Sequence, residues 1–409
     1  MKHKPQWLTS EINRRDLLKI SAGASGALAM GGLGMGAPPF GPRALAQEGK
    51  PSAVVVIFLQ GGYNALFGSA DSFNNRSFGV NAANMLALSN GLVVDSTFNS
   101  LGAFAKANLA TAGIAHGIPI HPQAQAAQFT VGAQNPAISL AAALGGSGSI
   151  KCVNVGQEEI PGPRNSVNGV SLQKIVNMQT TIDTLGGGAP DPTMPDRALA
   201  AQGISASQSS SKAEIEGNSN SLNSAVTAYD VAIKTLSKPS QPFNPQTLQT
   251  AYGLNGTAIT NFNSRIAAAE LMIRAGANVV SIVNVGWDTH GDTSGARVRT
   301  KFTSEILPGL KTFTDRMLTE QSEYNITVLI LGDFARSLPG SDHATVTVAT
   351  VMGHNVKQGT TGKVDSNVGF LGPTPTVGGF WGYVAAIAGA PKATVDTFGG
   401  NQHQSISKV

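Results

Sequence analysis

The chain has 409 residues, of which 41% are hydrophobic and 13% are charged, and glycine alone occupies 48 positions. This hydrophobic fraction excludes a wholly disordered or collagen-like chain, and the length predicts one large domain or two modest ones, at about 150 residues each. The net charge of +4 arises within residues 1–46, so the remaining chain is neutral and is not expected to bind nucleic acid.

Residues 1–46 have the pattern of an export signal. Residues 13–19, Asn-Arg-Arg-Asp-Leu-Leu-Lys, resemble the twin-arginine motif Ser/Thr-Arg-Arg-x-Phe-Leu-Lys, and a Gly- and Ala-rich stretch follows them. Ala44-Leu45-Ala46 then gives the small-x-small pattern of a signal-peptidase site. A membrane anchor is the alternative, but so much glycine makes a poor spanning helix. We therefore predict recognition by the twin-arginine export machinery, cleavage near Ala46, and a periplasmic or secreted protein.

The remaining chain is expected to have neither a membrane span nor an internal disulfide. After the export signal, no run approaches the roughly 18 consecutive apolar residues of a spanning helix. Cys152 is the only cysteine, and it lies in Ile-Lys-Cys-Val-Asn-Val, whose alternation predicts a strand. We expect Cys152 to be a buried structural thiol rather than a nucleophile.

Four short apolar runs predict the strands of a mostly parallel sheet: residues 53–59, 278–285, 326–331 and 345–352. Residues 266–275 and 302–320 carry apolar side chains at helical spacing. Strands that alternate with helices indicate an α/β fold, which we expect to be a three-layer sandwich. Ligands of such sheets bind at the carboxyl ends of the strands.

The middle of the chain has a different composition. Residues 183–224 are crowded with Gly, Pro, Ser and Asn, which predicts a flexible insertion, and helical patterns at 219–238 and 245–254 suggest a small helical cap beside it. The final residues are polar and are expected to fray. The predicted organisation is a signal peptide at 1–46, an α/β domain in two parts at 47–182 and 256–400, a Gly/Ser-rich and helical insertion at 183–255, and a tail at 401–409.

Polar side chains of metal-ligand type collect at three predicted strand ends. Asp288, His290 and Asp292 follow the second run, Asp333 follows the third, and Asp342-His343 precedes the fourth. Alternate residues of an extended segment point the same way, so Asp288 and His290 can share one ion. Each residue could instead cap a helix or form a turn. The convergence of carboxylates and imidazoles favours a divalent metal, with zinc expected first and manganese or calcium if the shell is rich in oxygen.

Four motifs carry a resemblance to a known family: residues 61–65 (Gly-Gly-Tyr-Asn-Ala), 286–290 (Gly-Trp-Asp-Thr-His), 332–337 (Gly-Asp-Phe-Ala-Arg-Ser) and 342–343 (Asp-His). They resemble the signatures Gly-Gly-x-Asp-Gly, Gly-Trp-Asp-Thr-His, Gly-Glu-Phe-Gly-Arg-Thr and Asp-His of exported proteins in a domain-of-unknown-function family. That family lies within the alkaline phosphatase and sulfatase superfamily. The resemblance spans residues 53–390 apart from the insertion, and it implies an alkaline phosphatase-like fold.

The resemblance also implies roles for individual residues. In the superfamily, carboxylates and histidines at these strand ends hold one or two divalent ions, which activate a nucleophile and stabilise an oxyanion. By position, Asp288 and His290 are similar to one ligand pair, Asp333 to the carboxylate after the next strand, and His343 to the closing histidine. Asp292 is an alternative to His290.

Further positions are left with two interpretations. Asp342 is either a ligand or a residue that orients His343, and Arg336 pairs either with an anionic substrate or in a structural salt bridge. Asn64 stands where the family has Asp, which weakens a second metal. His121 opens the stretch that corresponds to the superfamily nucleophile, where Ser, Thr or a modified Cys is usual. It is a ligand or base, or a plain structural histidine, with His116 as a further candidate.

Two functions follow from these residues. The first is an exported metal-binding protein that hydrolyses phosphate or sulfate esters, with an anionic small molecule or polymer as the substrate. The alternative is a non-catalytic relative that acts as a periplasmic binding or envelope-assembly protein. The retained carboxylates and histidines favour the first function, whereas the missing nucleophile and Asn64 favour the second.

Overall fold

The structure is a computed structural model, and it describes residues 50–62, 84–145, 150–186, 202, 205, 245–292, 294–336, 342–362, 372 and 375–409. The chain divides into two compact units, one of residues 44–190 and 241–409 and the other of residues 1–43 and 191–240. Every element named below belongs to the first unit. The predicted export signal and most of the predicted insertion, with its helix at 219–238, lie outside the described residues.

The described strands are β1 Ser52–Leu59, β2 Met85–Ala87, β3 Val93–Asp95, β4 Leu109–Ala115, β5 Cys152–Val155, β6 Leu172–Ile175, β7 Val279–Asn284, β8 Asn325–Gly332, β9 Val346–Gly353 and β10 Gly359–Thr360. Strands β2 and β3 form a separate antiparallel pair. The other eight form one sheet in the order β10-β4-β9-β8-β1-β7-β5-β6.

The described helices are α1 Ala103–Ala107, α2 His121–Gln128, α3 Pro136–Leu144, α4 Met178–Gly186, α5 Pro245–Tyr252, α6 Phe262–Arg274, α7 Ala296–Lys301, α8 Leu307–Met317, α9 Val377–Ile387 and α10 Lys392–Thr397. A π-helical turn, Phe302–Ile306, joins α7 to α8. Within the described ranges, none of the helices combines the length and the apolar composition that crossing a bilayer requires.

The predicted α/β fold with a mostly parallel sheet is confirmed, and the four predicted runs correspond to β1, β7, β8 and β9. Strand β1 lies near the centre of the sheet and pairs in parallel with β7 and β8. Strand β9 differs, because it pairs antiparallel with both β8 and β4. The start of β9 therefore lies at the same edge as the carboxyl ends of β1, β4, β7 and β8.

Hydrophobic side chains cover both faces of the sheet. In β1, Val55 and Ile57 face one core cluster and Val54 and Val56 face the other, because successive side chains of a strand point to opposite faces. Helices α6 and α8 pack on the first face, whereas α3 and α9 pack on the second. Each fully buried aliphatic side chain contributes about 2 kcal/mol of hydrophobic stabilisation. This two-sided burial explains why the central strands are continuous apolar runs.

Cys152 lies in β5 as expected. Its side chain is fully buried, and desolvation raises the pKa of the thiol to about 12. A thiol with this pKa remains protonated at neutral pH and is a poor nucleophile. The prediction of a structural cysteine is therefore confirmed.

Helix α5 lies at the end of the predicted insertion, but it is part of the core. Leu248 and Tyr252 are buried, and the hydroxyl of Tyr252 donates a hydrogen bond of 2.8 Å to Glu270 in α6. Glu270 also accepts from Arg274 and Arg316, so this buried carboxylate is fully paired. A helical pattern was predicted here, and the packing ties it to α6.

The expectation that residues 401–409 fray is wrong. His403 and Ile406 are buried. The carbonyl of Ile406 accepts hydrogen bonds from the amide of Lys357, at 2.9 Å, and from the hydroxyl of Tyr383, at 3.2 Å. The segment is polar in sequence, but Ile406 joins the core cluster that contains the aromatic residues of α9, and His403 packs beside two of them.

Candidate functional site

The candidate site residues meet at the carboxyl edge of the sheet. Asp288 follows β7, Asp333 follows β8, and His343 precedes β9. His121 is the first residue of α2, which begins shortly after β4 ends. Because β9 runs antiparallel, its start adds His343 to the same edge. The topology therefore brings together residues that are far apart in the chain.

Three imidazoles lie in contact at this edge, and we call His121, His290 and His343 the imidazole cluster. The ring centroids of His121 and His343 are 4.4 Å apart, those of His290 and His343 are 4.6 Å apart, and those of His121 and His290 are 6.4 Å apart. The ring of Phe334 lies 4.6 Å from His121 and 4.3 Å from His343. This aromatic contact holds two of the imidazoles against an apolar surface.

Asp333 lies behind His121 and is fully buried. Its Oδ1 accepts a hydrogen bond of 3.1 Å from the amide of Gly61. Its Oδ2 accepts 2.7 Å from Nδ1 of His121 and 2.8 Å from Nε2 of Gln125. The sequence led us to expect Asp333 as a direct ligand of the ion, and in the structure both of its oxygens accept from protein donors.

The hydrogen bonds of two imidazoles determine which nitrogen carries the proton. His121 Nδ1 meets a carboxylate, and His343 Nδ1 meets the carbonyl of Pro119 at 2.6 Å, so both Nδ1 atoms donate. In the neutral rings, Nε2 then carries the lone pair, and both Nε2 atoms are buried and accept no hydrogen bond. Desolvation lowers the pKa of His343, although the bond to Pro119 opposes it, so the ring is neutral at neutral pH.

His116 and His403 also have a buried Nε2 without a hydrogen bond, but the described contacts do not join them to the imidazole cluster. Nδ1 of His116 accepts from the amide of Ile118 at 3.2 Å, and His403 bonds to Thr361 at 2.6 Å. A lone buried imidazole is common in a protein core. The adjacency of His121 and His343 is what distinguishes the cluster.

Asp288 is half-exposed and connects the imidazole cluster to Arg336. Its Oδ1 accepts 2.7 Å from Arg336 Nη2 and 2.5 Å from His290 Nδ1, and its Oδ2 lies 3.8 Å from His121 Nε2. Desolvation raises the pKa of this carboxyl, but the hydrogen bonds and charges of Arg336 and His290 outweigh it and hold the pKa below its usual range. The sequence led us to expect that Asp288 and His290 share one ion, and in the structure the two side chains bond directly to each other.

Arg336 has the geometry of a structural cation. Its side chain is fully buried, and besides Asp288 it donates 2.6 Å to the carbonyl of Gly61 and 3.3 Å to that of Gly62. Burial lowers the pKa of Arg336, and the bond to Asp288 opposes this effect. Of the two interpretations of Arg336, these contacts favour the salt bridge, because the guanidinium is enclosed rather than presented to a substrate.

The glycine pair after β1 permits this close packing. Gly61 has φ of 122° and Gly62 has φ of 85°, which are conformations that favour glycine. A Cβ on Gly61 would lie 2.4 Å from the amide nitrogen of Asp288, and one on Gly62 would lie 2.7 Å from Cε2 of Phe334. A larger residue would therefore push the ends of β7 and β8 away from β1.

Three further residues, Asp292, Asp342 and Asn64, were weaker candidates for metal ligands. Asp292 is buried, and its carboxylate accepts from the amides of Arg297 and Val298 at 3.3 and 3.0 Å, so it caps the start of α7 instead of facing the imidazole cluster. Asp342 contributes a negative charge near Arg336. Asn64 lies outside the described residues.

The donor set suits a divalent metal, although the donors are paired with each other. Among the residues that the structure describes, no group of three or more His, Cys, Asp and Glu side chains is already arranged to hold an ion. These side chains are not arranged around one point because Oδ1 of Asp288 accepts hydrogen bonds from Arg336 and His290. Binding an ion requires imidazole rings to turn towards one point. Imidazole nitrogens with one carboxylate are the ligands of zinc sites.

Sequence reasoning underrated His121. It was a secondary candidate because a histidine at such a position is more often a plain surface or core residue. The available signal was its position as the first residue of a helix that follows a buried strand in an α/β chain.

No curated protein matches the chain. One solved structure that it resembles is described as the crystal structure of Ps i-CgsB in complex with k-i-k-neocarrahexaose, with 11% identity and a TM-score of 0.36 over 87% of this chain and 76% of that chain. Residues 175–370, which include Asp288, His290, Asp333 and His343 but not His121, match a family described as "Protein of unknown function (DUF1501)".

Proposed function

We propose that this protein binds one divalent metal ion, zinc in the first place, at the carboxyl edge of its sheet. The ligands are His121, His290 and His343 of the imidazole cluster, together with Asp288. The observation that carries the proposal is that Nε2 of His121 and Nε2 of His343 are buried, unpaired lone-pair nitrogens in adjacent rings. Burying a polar atom without a partner costs free energy, which ion binding would recover.

The surroundings of the cluster have the features of a supported metal site. Metal-ligating histidines usually donate their other N–H to a carboxylate or a backbone carbonyl, as His121 and His343 do. Asp288 supplies a negative charge, and Arg336 holds this carboxylate in place. A bound ion would polarise a substrate oxygen and lower the pKa of a bound water.

We further propose that the site acts on phosphate or sulfate esters within an alkaline phosphatase-like fold. The support is the motif resemblance described above and the location of the cluster at the edge where α/β proteins bind ligands. The substrate would be an anionic small molecule or polymer. Because residues 286–290 and 332–337 include Asp288, Asp333 and Arg336, this proposal depends on the same residues as the metal site.

A non-catalytic binding or envelope-assembly protein is the second candidate. It is favoured by His121, which occupies the helix start where the superfamily nucleophile is expected. Asn64, at a position where the family has Asp, also reduces the negative charge available for a second ion. Manganese or calcium becomes the better cation if Asp342 and water make the shell richer in oxygen.

Metal analysis of the purified protein tests the site. We expect about one equivalent of zinc in the wild type and a higher melting temperature with zinc than without it, because an ion that binds only the folded state stabilises it. His343→Ala should lose both the stoichiometric metal and the metal-dependent shift. Metal content that is unchanged in His343→Ala would refute the site.

His354→Gln is the matched control. His354 is a half-buried histidine near the start of β8, at the opposite edge of the sheet, and it bonds to the amide of Ile326 at 3.0 Å and to the carbonyl of Thr319 at 2.8 Å. This variant should keep its metal. Turnover of aryl phosphate or sulfate esters by the metal-loaded protein supports the hydrolase, whereas metal binding without turnover supports the second candidate.

We also propose export by the twin-arginine route, with a periplasmic or secreted mature protein. The support is the Arg14-Arg15 pair within residues 13–19 and the small residues before Gln47. Amino-terminal sequencing of the mature protein should begin near Gln47. A mature protein that retains residues 1–46 would contradict the proposal.

A further inference from the structure

We propose that Asp333 is a positioning residue that fixes the imidazole of His121, with Nε2 directed to the imidazole cluster, and that Asp333 does not itself bind the metal. The sequence led us to expect Asp333 as a direct ligand, so this inference changes its role. This inference rests on the proposed function, because orienting Nε2 of His121 matters only if the imidazole cluster binds a metal. The state of the His121 ring can, however, be measured without any metal.

The carboxylate of Asp333 uses three of its four lone-pair sites to accept hydrogen bonds from protein donors. The residue is fully buried, and its two oxygens accept from three donors that belong to two separate segments. Gly61 donates from the end of β1, and His121 and Gln125 donate from α2. Oδ2 accepts two of these bonds, so its ligation of an ion would break the bond to His121 or to Gln125, and a buried donor without an acceptor is costly.

The donor and the acceptor of each hydrogen bond around Asp333 can be assigned from the neighbouring groups. Gln125 uses its Nε2 for Asp333, because its Oε1 accepts 3.1 Å from Nε2 of Gln60. The amide of Gly61 can only donate. Asp333 must therefore accept on both oxygens, as a carboxylate does, and Nδ1 of His121 must donate. The lone pair of the neutral ring then lies on Nε2, on the side of His343.

An asparagine could not reproduce this arrangement. Its amide has one accepting oxygen and one donating nitrogen. With the oxygen facing Gly61, the nitrogen would face Nδ1 of His121, and two donors cannot bond to each other. His121 would then change tautomer, so that Nδ1 accepts and Nε2 carries the hydrogen. In this tautomer Nε2 has no lone pair for a metal.

The test is nitrogen-15 NMR of the histidine side chains in the metal-free protein, at a pH where the rings are neutral. The signals of His121 are those that disappear in His121→Gln. In the wild type we expect protonated Nδ1 and unprotonated Nε2, and in Asp333→Asn we expect protonated Nε2. A wild-type His121 with a protonated Nε2 overturns the proposal directly, which keeps it falsifiable even where Asp333→Asn fails to fold.

Asp95→Asn is the matched control. Asp95 is another buried carboxylate, and it accepts 2.8 Å and 3.0 Å from Arg299 and 2.9 Å from the amide of Thr97, with no contact to the imidazole cluster. The Asp95→Asn variant should have a changed stability and an unchanged tautomer of His121. A tautomer change in both variants, or in neither, would contradict the positioning role.

Zinc titration of the same proteins provides the second measurement. Loss of a residue that orients a metal ligand typically weakens metal binding about 10- to 100-fold, and we expect this range for Asp333→Asn. Binding as tight as in the wild type would overturn the proposal. A wild type that has the expected tautomer but binds no metal would refute the proposed function and leave the positioning role of Asp333 intact.

Discussion

Arg336 shows how a single buried side chain can hold the ends of three strands together. It lies after β8, it bonds to the carbonyls of Gly61 and Gly62 after β1, and it pairs with Asp288 after β7. Among the residues that the structure describes, Arg336 is the donor to both of these buried carbonyls. The guanidinium provides several donors in one plane, which a single ammonium group cannot do.

We predict that Arg336→Leu lowers the free energy of unfolding by about 2 to 4 kcal/mol, because it leaves buried carbonyls unpaired and removes a charge partner of Asp288. Chemical denaturation measures this loss. Arg336→Lys should cost less, since it keeps the charge and loses only the planar geometry. Equal stability of Arg336→Leu and the wild type would show that these contacts contribute nothing.

At the scale of elements, the carboxyl-terminal segment completes the face of the sheet that α9 covers. The 3₁₀ turn Gln404–Ile406 places Ile406 in the core cluster of that face. His403 packs beside Tyr383 and Phe380, with ring centroids 5.4 and 6.1 Å apart. Residues with few apolar side chains thus close one end of the core.

We predict that removal of residues 401–409 destabilises the protein by about 3 to 5 kcal/mol. The estimate combines the burial of Ile406, at about 1.5 to 3 kcal/mol, with the two hydrogen bonds to its carbonyl, at about 1 kcal/mol each. A thermal melt compares the truncated and full chains. Removal of Val409 alone is the control, since that side chain is exposed and should contribute little. A truncated chain that melts like the wild type would contradict the prediction.

At the scale of the whole molecule, buried neutral histidines make the fold sensitive to acid. Desolvation lowers the pKa of both His116 and His403 from 6.5 to about 4. Their pKa values are thus lower in the folded than in the unfolded state, so the unfolded state binds protons first as the pH falls. The resulting stability is present above pH 6.5 and is lost as the pH falls towards 4.

We predict that the free energy of unfolding decreases between pH 7 and pH 4.5, and that His403→Gln reduces this decrease. A pKa shift of this size corresponds to a contribution of about 3 kcal/mol from each histidine. Denaturant unfolding at a series of pH values measures the slope for the wild type and the variant. An unchanged slope in His403→Gln would show that His403 does not titrate in this range.

The sequence alone was sufficient for the class of the fold and for part of the site. Continuous apolar runs indicate strands that are buried on both faces, and apolar residues at helical spacing indicate the helices that cover the sheet. Both patterns are local properties of the chain. The common orientation of Asp288 and His290 was also predictable, since alternate residues of an extended segment point the same way. The same local reasoning identified Cys152 as a buried structural thiol.

The tertiary structure decided which residues meet and which hydrogen bonds each one makes. The antiparallel direction of β9 brings His343 to the edge, and strand direction is set by long-range pairing that no local pattern records. His121 enters the cluster because β4 pairs beside β9, and Asp333 is occupied by donors from β1 and α2. Hydrogen-bond partners and burial depend on packing between distant segments, so the role of Asp333 could be read only from the folded chain.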